Sequence, residues 1–122
     1  MGKTVLVVED SVFIAEAIRN ILEPHDLFVV IEDDGNKVVD LVKKKDVNLV
    51  ILDLMMPKLP GKEVLSRLKA DPKTKKIPVL ILSARIDHLR WDQELQACDH
   101  FMPKPFKNEE LVAVVKKLLK VA

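Results

Sequence analysis

The sequence predicts an α/β domain in which helices cover both faces of a doubly wound parallel sheet of five strands. Five short apolar runs recur along the 122 residues, and segments with helical periodicity lie between them. The runs lack the strict alternation that marks a half-exposed sheet, which indicates strands buried on both faces. Strands that alternate with helices form parallel sheets with right-handed crossovers. We expect a single domain over residues 1–122, because the length suits one domain and no linker or repeat divides the chain.

Each predicted strand is an apolar run rich in Val, Ile, Leu or Phe. In chain order the runs are residues 4–8, 27–31, 49–52, 79–82 and the weaker pair 101–102. None approaches the roughly 20 apolar residues that a membrane-spanning helix needs. The first run is also too short for the core of a signal peptide, so we expect a cytoplasmic protein.

The first predicted helix follows Ser11, a suitable N-cap, and ends before Pro24. Its apolar residues recur at helical spacing and are expected to form one buried stripe. The stripe consists of Phe13, Ile14, Ala17, Ile18, Ile21 and Leu22.

The remaining helices are predicted from similar stripes. These apolar stripes consist of Val38, Leu41 and Val42 after Gly35; Val64, Leu65 and Leu68 after Gly61; and Leu111, Val112, Val115, Leu118 and Leu119 near the end of the chain. Asn108 is a plausible N-cap for this last helix. The fourth segment, residues 87–97, has no clean stripe, which predicts a short or mobile helix.

The distribution of charge is more informative than its total. A net charge of +1 argues against a generic nucleic-acid binder, which usually presents a strongly basic face. Residues 1–34 nevertheless carry a balance of −6, and the rest of the chain carries +7. The acidic residues alternate with apolar runs, which favours a localised acidic site. Residues 32–35 are interpreted as a solvated turn if the second strand lies at the sheet edge.

Polar side chains follow four of the apolar runs. Glu9 and Asp10 follow the first run, Asp53 the third and Ser83 the fourth, while Lys104 lies one residue beyond the fifth. Functional groups of open α/β sheets lie at the carboxyl ends of the strands. We therefore expect these five side chains to meet at one edge of the sheet, although each alone has an ordinary explanation as a cap, a turn residue or a solvated lysine.

This set of groups predicts a site for Mg²⁺ and a phosphoryl group. Three carboxylates in one crevice repel one another unless a cation is present, and oxygen ligands suit Mg²⁺. The carboxylate of Asp53 can act as the nucleophile in phosphoryl transfer and form an acyl phosphate. Lys104 would neutralise the transferred oxygens, and Ser83 would donate a hydrogen bond to one of them.

Four segments together resemble response-regulator receiver domains, the phosphoacceptors of two-component signalling, of the chemotaxis-regulator type. They are Val-Val-Glu-Asp-Ser at 7–11, Leu-Asp-Leu-Met-Met-Pro-Lys-Leu-Pro-Gly at 52–61, Pro-Val-Leu-Ile-Leu-Ser-Ala at 78–84 and Lys-Pro-Phe at 104–106. The resemblance covers essentially the whole chain. It implies a flavodoxin-like sheet with strand order 2-1-3-4-5 and five helices.

The resemblance also implies a role for each matching residue. Asp53 corresponds to the phosphorylated residue, and Lys104 to the lysine that binds the phosphoryl group. Glu9, Asp10 and Asp53 would hold Mg²⁺ or Mn²⁺ together with the backbone carbonyl of Met55. The phosphoryl donor would be a phosphohistidine of a sensor histidine kinase or phosphotransfer protein, or a small acyl phosphate. The domain would catalyse its own phosphorylation and dephosphorylation.

Ser83 and Phe101 match the switch residues of the family. Movement of Ser83 towards the phosphoryl group would let Phe101 turn inward and would change the surface formed by the fourth helix, fifth strand and fifth helix. This surface would bind an unknown protein target, with the chain a monomer or a phosphorylation-dependent dimer. We place Trp91 on or beside this surface, with a core position as the alternative. The family also has a cis peptide before Pro105.

Three features depart from the family pattern. Ala97-Cys98 replaces the usual Gly-Ala, Pro103 directly precedes the lysine, and the spacing from Ser83 to Lys104 is about one residue shorter. Met55 and Arg85 occupy positions that influence dephosphorylation in the family. Cys98, the single cysteine, is interpreted as a small core residue.

Two other functions are compatible with the fold. A receiver-like scaffold would bind partners without phosphorylation, but it would have no need of Asp53, Ser83 and Lys104. A Mg²⁺ phosphatase with an aspartate nucleophile usually has an Asp-x-Asp arrangement, whereas residue 55 is Met. The 122 residues leave no room for an output domain, and Met1 together with a final helix favours a stand-alone regulator.

Overall fold

Five parallel strands form one central sheet in the computed structural model, which describes residues 2–84 and 97–121. The strands are β1 (Lys3–Val8), β2 (Leu27–Glu32), β3 (Leu49–Asp53), β4 (Val79–Ser83) and β5 (His100–Pro103). Their order is β2-β1-β3-β4-β5, and every neighbouring pair is parallel. The predicted fold class and strand order are therefore confirmed, and β2 lies at an edge as expected.

Four α-helices lie in the described part of the chain. They are α1 (Val12–Leu22), α2 (Val38–Lys44), α3 (Gly61–Ala70) and the C-terminal helix (Asn108–Leu119). Short 3₁₀ turns at Glu23–His25 and Gly35–Lys37 follow α1 and precede α2. The predicted helix at 87–97, with Arg85 and Trp91, lies outside the described residues except for its last position. No described helix is long and apolar enough to cross a bilayer.

The core consists of two apolar layers, one on each face of the sheet. Strand side chains alternate between the faces: Val5 and Val7 face α1 and the C-terminal helix, while Leu6 and Val8 face α2 and α3. Complete burial of such a side chain contributes about 1.5–3 kcal/mol. Cys98, predicted as a small core residue, is only partly buried and packs against the second layer, and this burial raises the pKa of its thiol.

The predicted stripe of α1 is wrong at two positions. Ser11 caps the helix as expected, because its side chain accepts a hydrogen bond from the Ile14 N–H at 3.4 Å. Phe13, however, is 90% exposed, and Ala17 is also exposed. At about 100° per residue, Phe13 lies some 140° around the helix from the buried Ile18. The buried face instead includes Ala15, which the prediction omitted.

The predicted N-cap of the C-terminal helix is also wrong by one residue. Lys107 has extended backbone angles and precedes the helix, so Asn108 is already the first helical residue and its side chain makes no capping hydrogen bond. Glu109 and Glu110 lie in the first turn, where the helix dipole favours negative charge.

Candidate functional site

The neighbouring strands β1 and β3 bring three carboxylates together at the carboxyl edge of the sheet. Val8 pairs with Leu52, so Glu9, Asp10 and Asp53 emerge side by side. Their ligand oxygens all lie within 4.8 Å of one another. Glu9 and Asp53 are buried, whereas Asp10 is exposed to solvent. We call these three residues the acidic cluster.

Lys104 supplies a positive charge to the acidic cluster. Its Nζ lies 2.9 Å from Oε1 of Glu9 and 3.4 Å from Oδ1 of Asp53. The Lys104 backbone N–H donates to the carbonyl of Ser83 at 2.9 Å, which fixes the start of the loop after β5. The peptide bond from Lys104 to Pro105 is cis, as the family resemblance implied.

The electrostatic balance of the site shows most clearly at Glu9. Burial raises the pKa of Glu9 to about 7, the adjacent Asp53 carboxylate acts in the same direction, and Lys104 acts against them. One positive charge therefore does not compensate the two buried carboxylates of Glu9 and Asp53.

The residues present fit a divalent metal ion. Oε2 of Glu9 is buried and has no hydrogen-bond partner among the described residues. The acidic cluster offers oxygen donors only, which suit a hard cation such as Mg²⁺. An unpartnered buried oxygen in a negatively charged cluster is the environment in which a cation, or a water molecule bound to it, would be stabilised.

The turn after β3 holds the Asp53 side chain in place. The Met55 N–H donates to Oδ1 of Asp53 at 3.2 Å, while the Met55 side chain is 62% exposed. Two contacts thus converge on Oδ1, one from Met55 and one from Lys104. They fix the orientation of the carboxylate relative to the opening of the site.

Ser83 and Phe101 occupy neighbouring strands beside this turn. Ser83 is buried at the carboxyl end of β4, the strand next to β3. Phe101 lies in β5 opposite Ile81 and is 43% exposed. The structure therefore places Ser83 at the same edge as the acidic cluster, and Phe101 further back along β5.

Sequence reasoning missed the part that Gly61 plays at this site. A Cβ at Gly61 would lie 2.4 Å from the carbonyl oxygen of Asp53 and 2.7 Å from Cα of Leu54. The Gly61 N–H also donates to the Leu54 carbonyl at 3.1 Å. Only glycine lets α3 approach the backbone of Asp53 this closely. The signal was the glycine at the end of the motif at 52–61.

The sequence profile described as the response regulator receiver domain matches residues 5–116, and the chain belongs to this family. Response regulator MprA of Mycolicibacterium vanbaalenii is 35% identical over 121 residues, which cover 98% of this chain and 52% of the relative. The chain thus spans about half the length of the curated relatives that it matches. The fold and site define a receiver domain of two-component response regulators, a phosphoacceptor switch.

Solved structures agree with this assignment. A putative response regulator from Chloroflexus aurantiacus superposes with a TM-score of 0.90 at 27% identity, over 98% of this chain and 99% of the other. Response regulator protein TrrA from Thermotoga maritima, in complex with Mg²⁺-BeF, gives a TM-score of 0.85 at 31% identity, over 95% and 98% of the two chains. A related response regulator protein thus binds Mg²⁺.

Proposed function

We propose that Asp53 is the phosphoacceptor of this receiver domain, with a phosphohistidine or a small acyl phosphate as the donor. One observation carries the proposal: the buried Asp53 carboxylate lies within 4.8 Å of two further carboxylates and 3.4 Å from the Lys104 ammonium. An aspartate that only capped a turn would need neither the acidic neighbours nor the lysine.

The chemistry follows from this arrangement. An oxygen of Asp53 attacks phosphorus, the N–P bond of the phosphohistidine breaks, and the imidazole leaves with its electron pair. Lys104 and Ser83 stabilise the negative oxygens of the phosphoryl group. Attack by water on the acyl phosphate later releases inorganic phosphate and restores the carboxylate. The domain thereby catalyses its own phosphorylation and dephosphorylation.

The metal ligands are proposed to be Glu9, Asp10, Asp53 and the backbone carbonyl of Met55, with Asp10 in direct contact. Mg²⁺ is the expected ion, and Mn²⁺ has the same preference for oxygen ligands. When bound by these residues, the ion would supply positive charge that stabilises the phosphoryl oxygens.

An apolar rim next to the acidic cluster supports a protein as the phosphoryl donor. Val12 is 73% exposed, Phe13 90% and Met55 62%. Val12 and Phe13 follow Asp10 closely in the chain, and Met55 lies two residues beyond Asp53. Exposed aromatic and methionine side chains around a polar site are typical of protein interfaces. A sensor histidine kinase or phosphotransfer protein would cover this rim.

The output of phosphorylation is proposed to be a change in the surface formed by β5, the C-terminal helix and residues 87–97. Ser83 and Phe101 lie on the adjacent strands β4 and β5. Movement of Ser83 towards a phosphoryl group on Asp53 would vacate space for Phe101, which is 43% exposed. The population of two packings would shift and alter binding of a downstream protein, or dimer formation.

Incubation with acetyl phosphate and Mg²⁺, followed by intact mass spectrometry, tests the proposal. We expect one phosphoryl adduct on the wild type and none on Asp53→Asn. Asp33→Asn, at an exposed position outside the acidic cluster, is the matched control and should keep the adduct. A wild type without any adduct would favour the scaffold function, and turnover of unrelated phosphoesters would favour a phosphatase.

We infer that residues 1–122 form one receiver domain and that it acts in the cytoplasm, where phosphohistidine donors of two-component systems act. The family match over residues 5–116 supports the first statement.

A further inference from the structure

Charge is segregated between the two edges of the sheet. A group of exposed lysines, which we call the basic end, lies at the edge where the strands begin. It consists of Lys43, Lys44, Lys45, Lys73, Lys75 and Lys76. The first three lie at the end of α2 and just beyond it, and the others lie in the turn between α3 and β4. Residues 43–46 and 71–76 together carry an excess of four positive charges.

The basic end is a fixed surface. Thr74 is fully buried, and its hydroxyl donates to the Leu68 carbonyl at 2.6 Å. The Lys73 N–H donates to Oδ1 of Asp71 at 2.8 Å. Oδ2 of Asp71 in turn lies 2.6 Å from Nζ of Lys43, which ties the turn to the end of α2. The lysines are therefore presented by an ordered backbone.

Ion pairs are few among the described residues of the basic end. Lys43 pairs with Asp71, and the nearby Lys69 pairs with Asp99 at 3.0 Å. The other five lysines of the basic end form no ion pair with any described carboxylate. The cluster contains no arginine and no aromatic side chain, so it lacks the groups that read or stack on nucleic-acid bases.

The opposite edge of the sheet is acidic. Glu32, Asp33 and Asp34 lie next to the acidic cluster, because the Glu9 N–H donates to the Glu32 carbonyl at 3.1 Å. We call these six carboxylates the acidic end. The pKa of Asp34 is lowered, first by hydrogen bonds from Asn36 and further by the charges of Lys58 and Lys37. With these two lysines, Lys104 and Lys107 included, the acidic end keeps an excess of two negative charges when all six carboxylates are ionised.

We infer that two copies of this chain associate head to tail, with the basic end of one copy against the acidic end of the other. The two ends are complementary in sign and lie on opposite sides of the molecule, separated by the length of β3, which is about 13 Å for four steps of about 3.3 Å. A net charge of +1 produces almost no overall repulsion between copies. Such a heterologous contact leaves one basic end and one acidic end free in each pair, so further copies can bind to either end.

Sedimentation equilibrium of the full chain in EDTA tests the inference. At about 20 mM NaCl the weight-average mass should rise with protein concentration, and at about 500 mM NaCl the dissociation constant should increase at least about tenfold, because salt screens exposed charges. A chain that stays monomeric at low salt, or an association that salt does not weaken, overturns the inference.

Two triple variants with equal net charge locate the contact. The first variant removes three of the six lysines of the basic end and should be a monomer; it combines Lys73→Gln, Lys75→Gln and Lys76→Gln. Lys37→Gln with Lys58→Gln and Lys107→Gln removes three exposed lysines at the opposite edge, and should preserve or strengthen association. Equal loss in both variants contradicts the inference.

A mixing experiment tests the head-to-tail geometry. Asp33→Asn with Asp34→Asn weakens the acidic end and should also give a monomer. The lysine variant and this aspartate variant each retain one intact end, so their mixture should form a one-to-one complex at low salt. A two-fold symmetric dimer would regain only one of its two contacts in the mixture, and its wild type would saturate at twice the monomer mass, whereas a head-to-tail wild type should exceed that mass. Binding of a DNA duplex by a monomeric wild type would assign the lysines to another partner and would refute the inference.

Discussion

Glu9 has two carboxylate oxygens in different surroundings. Oε1 lies 2.9 Å from Nζ of Lys104, whereas Oε2 is buried and has no described hydrogen-bond partner. Burial raises the pKa of Glu9 to about 7, and Asp53 adds to this effect. The folded protein therefore takes up a proton near neutral pH at a position that is ionised in the unfolded chain.

The stability of the metal-free protein should consequently fall as the pH rises. The pKa of Glu9 is about 7 in the folded state against an ordinary value of 4.5, so the folded state binds more protons between these values and loses stability across this interval. We expect the free energy of unfolding, measured with urea in EDTA, to decrease by at most about 3 kcal/mol between pH 5 and pH 8. Glu9→Gln should reduce this decrease.

Glu110→Gln is the matched control for Glu9→Gln, since Glu110 is exposed on the C-terminal helix. It should keep the pH dependence of the wild type. If Glu9→Gln and Glu110→Gln behave alike, the buried carboxyl of Glu9 is not the source of the effect.

Lys104 is expected to act in the transfer step more than in metal binding. Its ammonium lies 3.4 Å from Oδ1 of Asp53, where negative charge accumulates on the transferred oxygens. Lys104→Gln should lower the initial rate of phosphorylation by acetyl phosphate at least about tenfold, which corresponds to about 1.4 kcal/mol. Mass spectrometry at early times gives the rate. The exposed Lys107→Gln should phosphorylate at the wild-type rate, and an equal loss in both variants would contradict the role of Lys104.

At the scale of elements, the positions of the strands could be predicted from the sequence, whereas the buried faces of the helices could be predicted only in part. Runs buried on both faces, such as β3, are recognisable because every residue is apolar up to Asp53. In α1 the apolar residues are more numerous than the buried face can hold, so Phe13 and Ala17 were assigned wrongly. The acidic cluster was predictable because functional groups of open α/β sheets lie at the carboxyl ends of the strands. This tendency could not reveal Gly61, because a steric contact between α3 and the loop after β3 depends on the tertiary arrangement.

Gly61→Ala should disturb the position of Asp53. The new Cβ would lie 2.4 Å from the Asp53 carbonyl oxygen, which is a backbone atom with little freedom to move. We expect a loss of about 1–3 kcal/mol in the free energy of unfolding, together with a lower yield of the phosphoryl adduct. Urea unfolding and intact mass measure the two effects.

Ser66→Ala provides the comparison for Gly61→Ala, because Ser66 is exposed on the same helix. Alanine favours helix formation at such a position, so stability should be unchanged or slightly higher. Full stability and full phosphorylation in Gly61→Ala would show that the loop can yield and that the close contact does not position Asp53.

At the scale of the whole molecule, the sheet separates two apolar layers and leaves the charged groups at its edges. The acidic cluster contributes three carboxylates and little burial of apolar surface, so a cation that neutralises them should stabilise the entire domain. Mg²⁺ at about 100 times its dissociation constant should add about 2.7 kcal/mol to the free energy of unfolding. The thermal unfolding temperature with and without Mg²⁺ reports this gain.

Asp10→Asn should abolish most of the gain from Mg²⁺, because Asp10 is the exposed ligand of the acidic cluster. Asp33→Asn is again the control and should keep it. An equal increase in unfolding temperature for Asp10→Asn and the wild type would mean that Mg²⁺ acts elsewhere on the protein.

Phosphorylation of Asp53 is expected to change the surface formed by β5, the C-terminal helix and residues 87–97. Beryllofluoride with Mg²⁺ mimics the phosphoryl group, and Ser83 and Phe101 lie on the strands that would transmit its effect. A shift between two packings changes the environment of residues that touch the site only indirectly. We expect altered fluorescence of Trp91, the single tryptophan, and altered amide chemical shifts over residues 85–106. Asp53→Asn should show neither change. If the wild type binds beryllofluoride but these signals do not change, phosphorylation does not act on this surface. In that case a partner would have to recognise phosphorylation at the apolar rim around Asp53.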